Sequence, residues 1–148
     1  MTDKKPVKIM QSIQAELKAP KGQTNKFGGY SYRSAEDILE AVKPLLNKYD
    51  CFLTVSDEIV EVGGRVYVKS TASLQESHCD TVAEVSAFAR EAETKKGMDE
   101  AQITGSASSY ARKYALNGLF AIDDTKDPDA TNKHGKDSPK PVSRTTEF

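Results

Sequence analysis

The stretch from residue 51 to residue 90 constrains the fold more than any other. Within 65–75, Val66, Val68, Ala72 and Leu74 fall on one face, and Arg65, Tyr67, Lys69 and Thr71 on the other. That period of two marks a half-buried strand. The Gly63-Gly64 pair just before it is a hairpin signal, since tight hairpin turns need positive φ. Residues 51–56 and 58–62 are rich in β-formers, and Glu76 to Asp80 reads as a second turn. Residues 81–90 alternate again, with Ala83, Val85, Ala87 and Ala89 on one face and Val82, Phe88 and Arg90 on the other. A face of small residues lets a helix lie close to the sheet.

Helical patterns flank this region. Residues 7–18 place Ile9 or Met10, Ile13 and Leu17 at helical spacing, and Ala19-Pro20-Lys21-Gly22 stops them. Residues 20–33 read as a loop holding Gly28-Gly29 between Phe27 and Tyr30. Ser34 and Asp37 then form a capping box ahead of Ile38, Leu39, Val42, Leu45 and Leu46. Pro44 falls late enough to kink or shorten that helix. Residues 91–100 are a charged loop, and a last helix is expected over about 103–119. The order is helix, helix, β-meander, helix. The fold class is therefore α+β: an antiparallel meander with a long helix packed across it, preceded by one or two helices. Residues 1–122 form the domain. Residues 123–148 hold turn formers and charge with almost no apolar residues, which predicts a disordered tail.

The last helix is the most informative for function. Small residues lie on several sides of it, so two surfaces are expected to cover it: the sheet, and either the second helix or a neighbouring subunit. On a helical wheel Ile103, Ala107, Tyr110, Tyr114 and Gly118 share a stripe, with Arg112, Ala115, Leu116 and Leu119 toward the other side. Tyr110 and Tyr114 are expected in the core with their hydroxyls at the rim. The Arg112-Lys113 pair is either a solvated face or a phosphate contact.

Charge is unevenly spread. The net charge is −1, yet residues 1–33 hold seven Lys/Arg against two acids, and residues 34–64 hold two Lys against seven acids. Local basic surface is thus compatible with a neutral sum. Basic and aromatic residues recur together: Lys26, Phe27, Tyr30, Tyr32 and Arg33 in the loop; Arg65, Tyr67 and Lys69 on a strand; then Arg90, Lys95, Lys96, Arg112 and Lys113. Single-stranded nucleic acid asks for such a set, cations for phosphates and flat rings for bases. The alternative is that Tyr30 and Tyr32 pack onto the sheet.

Other chemistries find little support. Asp123, Asp124, Asp127 and Asp129 are a candidate Mg²⁺ cluster for phosphodiester hydrolysis, but they open a polar tail with no accompanying His or Lys constellation. His78-Cys79 lacks metal-ligand spacing. There is no G-x-x-x-x-G-K-[ST] run for nucleotide binding. Neither an apolar run long enough for a membrane nor a signal-type apolar segment is present, so an intracellular protein with Cys51 and Cys79 reduced is expected.

The segments 30–38 (YSYRSAEDI), 42–46 (VKPLL), 57–60 (DEIV), 66–69 (VYVK) and, above all, the run from Gln102 to Asp129 together resemble the Erf (essential recombination function) family of phage single-strand DNA annealing proteins. The resemblance covers roughly residues 5–130. It implies a non-enzymatic protein without cofactor or metal, which binds single-stranded DNA as a ring or filament of identical subunits. Such a protein anneals complementary strands without ATP in phage recombination, in the host cytoplasm. A single-strand-binding protein or a nuclease is a candidate partner. Arg112 and Lys113 are the first choice for phosphate contact. Lys69, Arg90, Lys95 and Lys96 come next, and Tyr32, Arg33 and Lys26 complete the candidate DNA-binding set. A passive single-strand coat and a metal-dependent nuclease are the competing readings.

Overall fold

A computed structural model describes residues 5–77 and 81–122. Helix α1 is Lys5–Glu16, followed by short strands β1 (Gln23–Asn25) and β2 (Tyr30–Tyr32). Helix α2 is Ala35–Tyr49, strands β3, β4 and β5 are Cys51–Val62, Arg65–Glu76 and Thr81–Arg90, and helix α3 is Glu100–Phe120. The expected α+β class holds: β3, β4 and β5 form an antiparallel meander, and α3 lies across it.

The hairpin signal is met. Gly63 and Gly64 sit at φ 60° and 78° between β3 and β4, where a side chain would be strained. β3 is one strand of twelve residues, running through the two β-rich segments without a break. Val68, Ala72 and Leu74 point under α3 and are buried, as is Ser70. The expected faces of β5 also hold, except at Val82. The register slips between Leu74 and Gln75, where Gln75 pairs with Thr81 and Leu74 with Ala83. Val82 is the extra residue, and it turns inward against the core instead of outward.

α3 packs on the sheet through a seam of small side chains. Ile103, Ala107, Ala111, Ala115 and Leu119 recur every four residues, and all are buried. Gly118 continues the approach, since a Cβ there would stand 3.0 Å from Val85 Cγ1. α1 and α2 supply the second cover, so the expected second surface comes from the chain itself. Ile9, Ile13, Ile38, Val42, Leu116 and Phe120 close that layer. Gln14 Nε2 donates to the Leu119 carbonyl at 2.9 Å, satisfying one of the acceptors a helix end leaves open.

The capping box at α2 is present: Asp37 N–H donates to Ser34 Oγ at 3.1 Å and Ser34 N–H to Asp37 Oδ2 at 2.9 Å. α3 begins with a second box that the sequence reading missed, built from Asp99 and Gln102. Pro44 lies inside α2, which continues to Tyr49. Residues 20–33 depart from expectation. They hold the antiparallel pair β1–β2, with Gln23 opposite Tyr32 and Asn25 opposite Tyr30. The turn between them is fixed by Asn25 Oδ1, which accepts from Phe27 N–H and Gly28 N–H at 2.8 and 2.9 Å. The tail 123–148, which holds Asp123, Asp124, Asp127 and Asp129, and the His78-Cys79 pair lie outside the described residues.

Candidate nucleic-acid interface

Because the alanine seam faces the sheet, α3 turns its flank at residues 106–114 toward the β1–β2 hairpin. Between them lies a cleft of about 550 Å³, lined by Gln23, Tyr30, Tyr32, Arg33, Tyr110, Lys113 and Tyr114 among others. The hairpin is anchored at this spot. Gln23 Nε2 lies 3.4 Å from both Asp37 carboxylate oxygens, and the Arg33 guanidinium donates to the Ala19 carbonyl. The backbone N–H of Ser34, then Ser34 Oγ and Gln23, hold the Asp37 carboxyl below the usual aspartate range, against the opposing effect of its burial.

Four tyrosines meet in this cleft. Tyr30 and Tyr32 project from the same side of β2, edge to face, with ring centroids 6.2 Å apart. Tyr110 and Tyr114 are one helical turn apart on α3, nearly parallel at 13°, with centroids at 6.3 Å. They are 56% and 49% exposed, which overturns their expected place in the core. The wheel placed them correctly beside Ala107. However, the sheet covers only the alanine side of that stripe, and the small hairpin leaves the tyrosine side open.

Lys113 sits between the two aromatic pairs. Its ammonium is 5.7 Å from the Tyr32 ring centroid and 5.8 Å from that of Tyr114. The residue is only 8% exposed, and its ammonium sits inside the cleft beside two ring faces.

Arg112 is one residue away and serves another surface. Its Nε lies 3.2 and 3.3 Å from the two Asp57 oxygens, and its Nη2 is 3.2 Å from Oδ2. Ser70 and Ser108 hydroxyls donate to the same carboxylate at 2.6 and 2.5 Å. Burial pushes the Asp57 carboxyl up, but the donors Ser108, Ser70 and Arg112 and the guanidinium charge together prevail, and it lies below the usual range. Thus the adjacent cations of the dipeptide part, one toward the cleft and one toward β3.

The remaining candidates are dispersed. Lys26 is exposed in the hairpin turn, and Arg33 is buried behind β2. Lys69 and Arg90 lie on the sheet face away from α3, Lys69 with its ammonium 5.9 Å from the Phe88 ring centroid. Lys95 and Lys96 are exposed in the loop before α3, where Lys95 pairs with Met98. The structure therefore brings Tyr32, Arg33 and Lys113 together, with Lys26 at the hairpin end, and leaves Lys69, Arg90, Lys95 and Lys96 apart. Tyr110 and Tyr114 are the residues that sequence reasoning missed as surface groups. The signal for them was the (i, i+4) spacing of two aromatics beside a lysine on a helix that has little apolar bulk to spare.

Among the described residues no group of three or more His, Cys, Asp or Glu could hold a metal. Burial, together with the nearby Glu76 and Asp50 carboxylates, raises the Cys51 thiol. No helix among the described residues is long and apolar enough to cross a membrane.

The fold is a meander crossed by one long helix, and the sequence blocks quoted above fall on β2, α2, β3, β4 and α3. The ERF superfamily matches residues 7–147, and the chain belongs to it. The match runs beyond the 5–130 span of the quoted blocks. The chain is similar to the essential recombination function protein of Salmonella phage P22, with 54% identity over 136 residues. That alignment takes in 92% of this chain and 64% of the relative, so the chain spans less than two thirds of that protein's length. No solved structure matches the chain.

Proposed function

We propose that this protein binds single-stranded DNA as an oligomer and anneals complementary strands without ATP, in phage recombination. The observation that carries this reading is the cleft between the hairpin and α3, lined by four tyrosines, two of which, Tyr32 and Tyr114, flank the Lys113 ammonium. Family membership and the name of the phage P22 relative support it. The action is physical. Rings take up base faces, cations neutralise phosphates, and a strand held extended presents its remaining base edges to a complement. Each subunit's contacts are few, and joining subunits in a ring or filament multiplies them through effective concentration. The protein needs no cofactor for this and works in the host cytoplasm, where a single-strand-binding protein or nuclease is a fitting partner.

The test is pairing of two complementary labelled oligonucleotides with no nucleotide present. Acceleration that fades as salt rises is expected. Retention of single strands with slowed pairing would instead make the protein a passive coat. Absence of any retention at low salt would remove the reading, and cleavage of labelled DNA in Mg²⁺ would favour a nuclease.

A further inference from the structure

Phe27 is the most exposed large apolar residue among those described, at 104% of its reference area. Single apolar residues on a surface are ordinary. What distinguishes Phe27 is the part that carries it. It stands in the turn of β1–β2, and that turn is braced from within. Asn25 Oδ1 accepts the Phe27 and Gly28 amides, and Gly29 N–H donates to the Asn25 carbonyl at 2.8 Å. Asn25 Nδ2 also donates to the Tyr30 hydroxyl at 2.9 Å. The Tyr30 ring packs against Gly28, where a Cβ would come within 2.2 Å of Tyr30 Cε2. The hairpin thus holds an aromatic side chain out in water on a fixed mount, directly beside the aromatic lining of the cleft.

The charge around it selects the occupant. Within the hairpin, residues 23–32, Lys26 is the one cation and there is no Asp or Glu. Lys26 immediately precedes Phe27 and is exposed. A flat apolar ring next to a cation, on a hairpin without acids, fits a base stack with its phosphates. Because the turn's backbone is already fixed, inserting the ring orders little beyond its own side chain.

We propose that Phe27 is a wedge: its ring inserts between successive bases of a bound single strand, with Lys26 on the adjoining phosphate, and opens the stack where the strand meets the tyrosine cleft. The proposal rests on the single-strand-binding reading above and adds to it a base-intercalating element outside the cleft. Unstacking at this point keeps the strand extended, which is the form a complementary strand needs.

The chain contains no tryptophan, so Phe27→Trp in the full chain introduces a single indole reporter at this position. Labelled-strand anisotropy and the indole emission are followed together on adding a mixed-sequence single-stranded oligonucleotide. Quenching of the indole in step with binding is expected. Phe27→Ala should lower affinity by roughly tenfold, as loss of one stacked base implies. It should leave the salt slope and the melting temperature unchanged, whereas Lys26→Ala should flatten the slope. Binding with unaltered indole emission would overturn the wedge and leave the functional reading standing. So would a blue shift that grows with protein concentration before DNA is added, since the tip would then be covered by another copy. No anisotropy change for the unsubstituted chain would remove both.

Discussion

Asp57 on β3 and Arg112 on α3 form an ion pair across the boundary between sheet and helix, with Arg112 Nη2 3.2 Å from Asp57 Oδ2. The Arg112 and Asp57 side chains are 42% and 25% exposed, so the guanidinium keeps an outward side while its charge is largely answered. A phosphate approaching Arg112 competes with a carboxylate that two serines also hold. Asp57→Asn should therefore raise affinity for single-stranded DNA about two- to fivefold at low salt, with the gain shrinking as salt screens the site. Equal affinities for the two proteins would exclude Arg112 from the binding track.

The same pair sets a pH response. Asp57 and Asp37 both have folded-state carboxyls below their ordinary values. Their stabilising effect is fully present above the unfolded aspartate value and is lost as pH falls through the depressed folded values. Thermal melting followed from neutral pH downward should stay level until the carboxylate range and then decline. Asp57→Asn should make that decline shallower, and an unchanged profile would show that Asp57 plays no part in it.

Lys113 offers a cleaner test of charge than of shape. Lys113→Met keeps the apolar stem between Tyr32 and Tyr114 and removes the ammonium. Binding should weaken by about 1–2 kcal/mol, in line with a partly desolvated cation beside rings. If Lys113 also neutralises a phosphate, the slope of log affinity against log salt should fall by about 0.7. Weaker binding with an unaltered slope would assign Lys113 to ordering the rings alone.

Tyr110 and Tyr114 are half-exposed, so truncating them should cost the fold little. Each Tyr→Ala change is expected to shift stability by about 0.5 kcal/mol or less. Loss of DNA affinity should be larger, about 1–3 kcal/mol per ring. Calorimetric melting and anisotropy on the same preparations separate the two quantities, and a large melting shift with intact binding would return the pair to a packing role.

The seam under α3 is expected to behave in the opposite way. Ala111 is fully buried and packs with Val68, Ala107 and Ala89. Ala111→Leu should destabilise by about 1–3 kcal/mol through overpacking. Denaturant unfolding measures this, and a neutral result would mean that α3 can lift from the sheet without penalty.

Much of the architecture was legible because it depends on local period and turn chemistry. Val66 to Leu74 alternate, Gly63-Gly64 marks a turn, and Ser34 with Asp37 marks a helix start, each readable within a few residues. The hairpin at 23–32 was not legible as strands, since three-residue strands carry too little alternation to register. Its order comes from side-chain bonds of Asn25 within the turn and of Gln23 to Asp37, a partner that the fold brings near. The bulge at Val82 likewise arises from pairing between strands. For the site, composition identified basic and aromatic residues but could not choose among them. Lys113 and Tyr32 are far apart in sequence and meet only because α3 crosses back over the start of the chain. Tyr110 and Tyr114 were misplaced because a wheel gives direction around a helix, and not how far the neighbouring surface extends.

The alanine seam also acts as a phase lock. Residues 112 and 113 are consecutive, yet they face an acid on β3 and a cleft respectively. Each residue along a helix turns by about 100°, so a rotation of one position would send both of these groups to the wrong neighbour. Only side chains as small as Ala107, Ala111 and Ala115 bring the helix close enough for the sheet to hold its angle. The least reactive residues of α3 therefore set the address of the most reactive ones. A single residue inserted between Ala111 and Arg112 would leave composition and charge nearly intact while dismantling the interface.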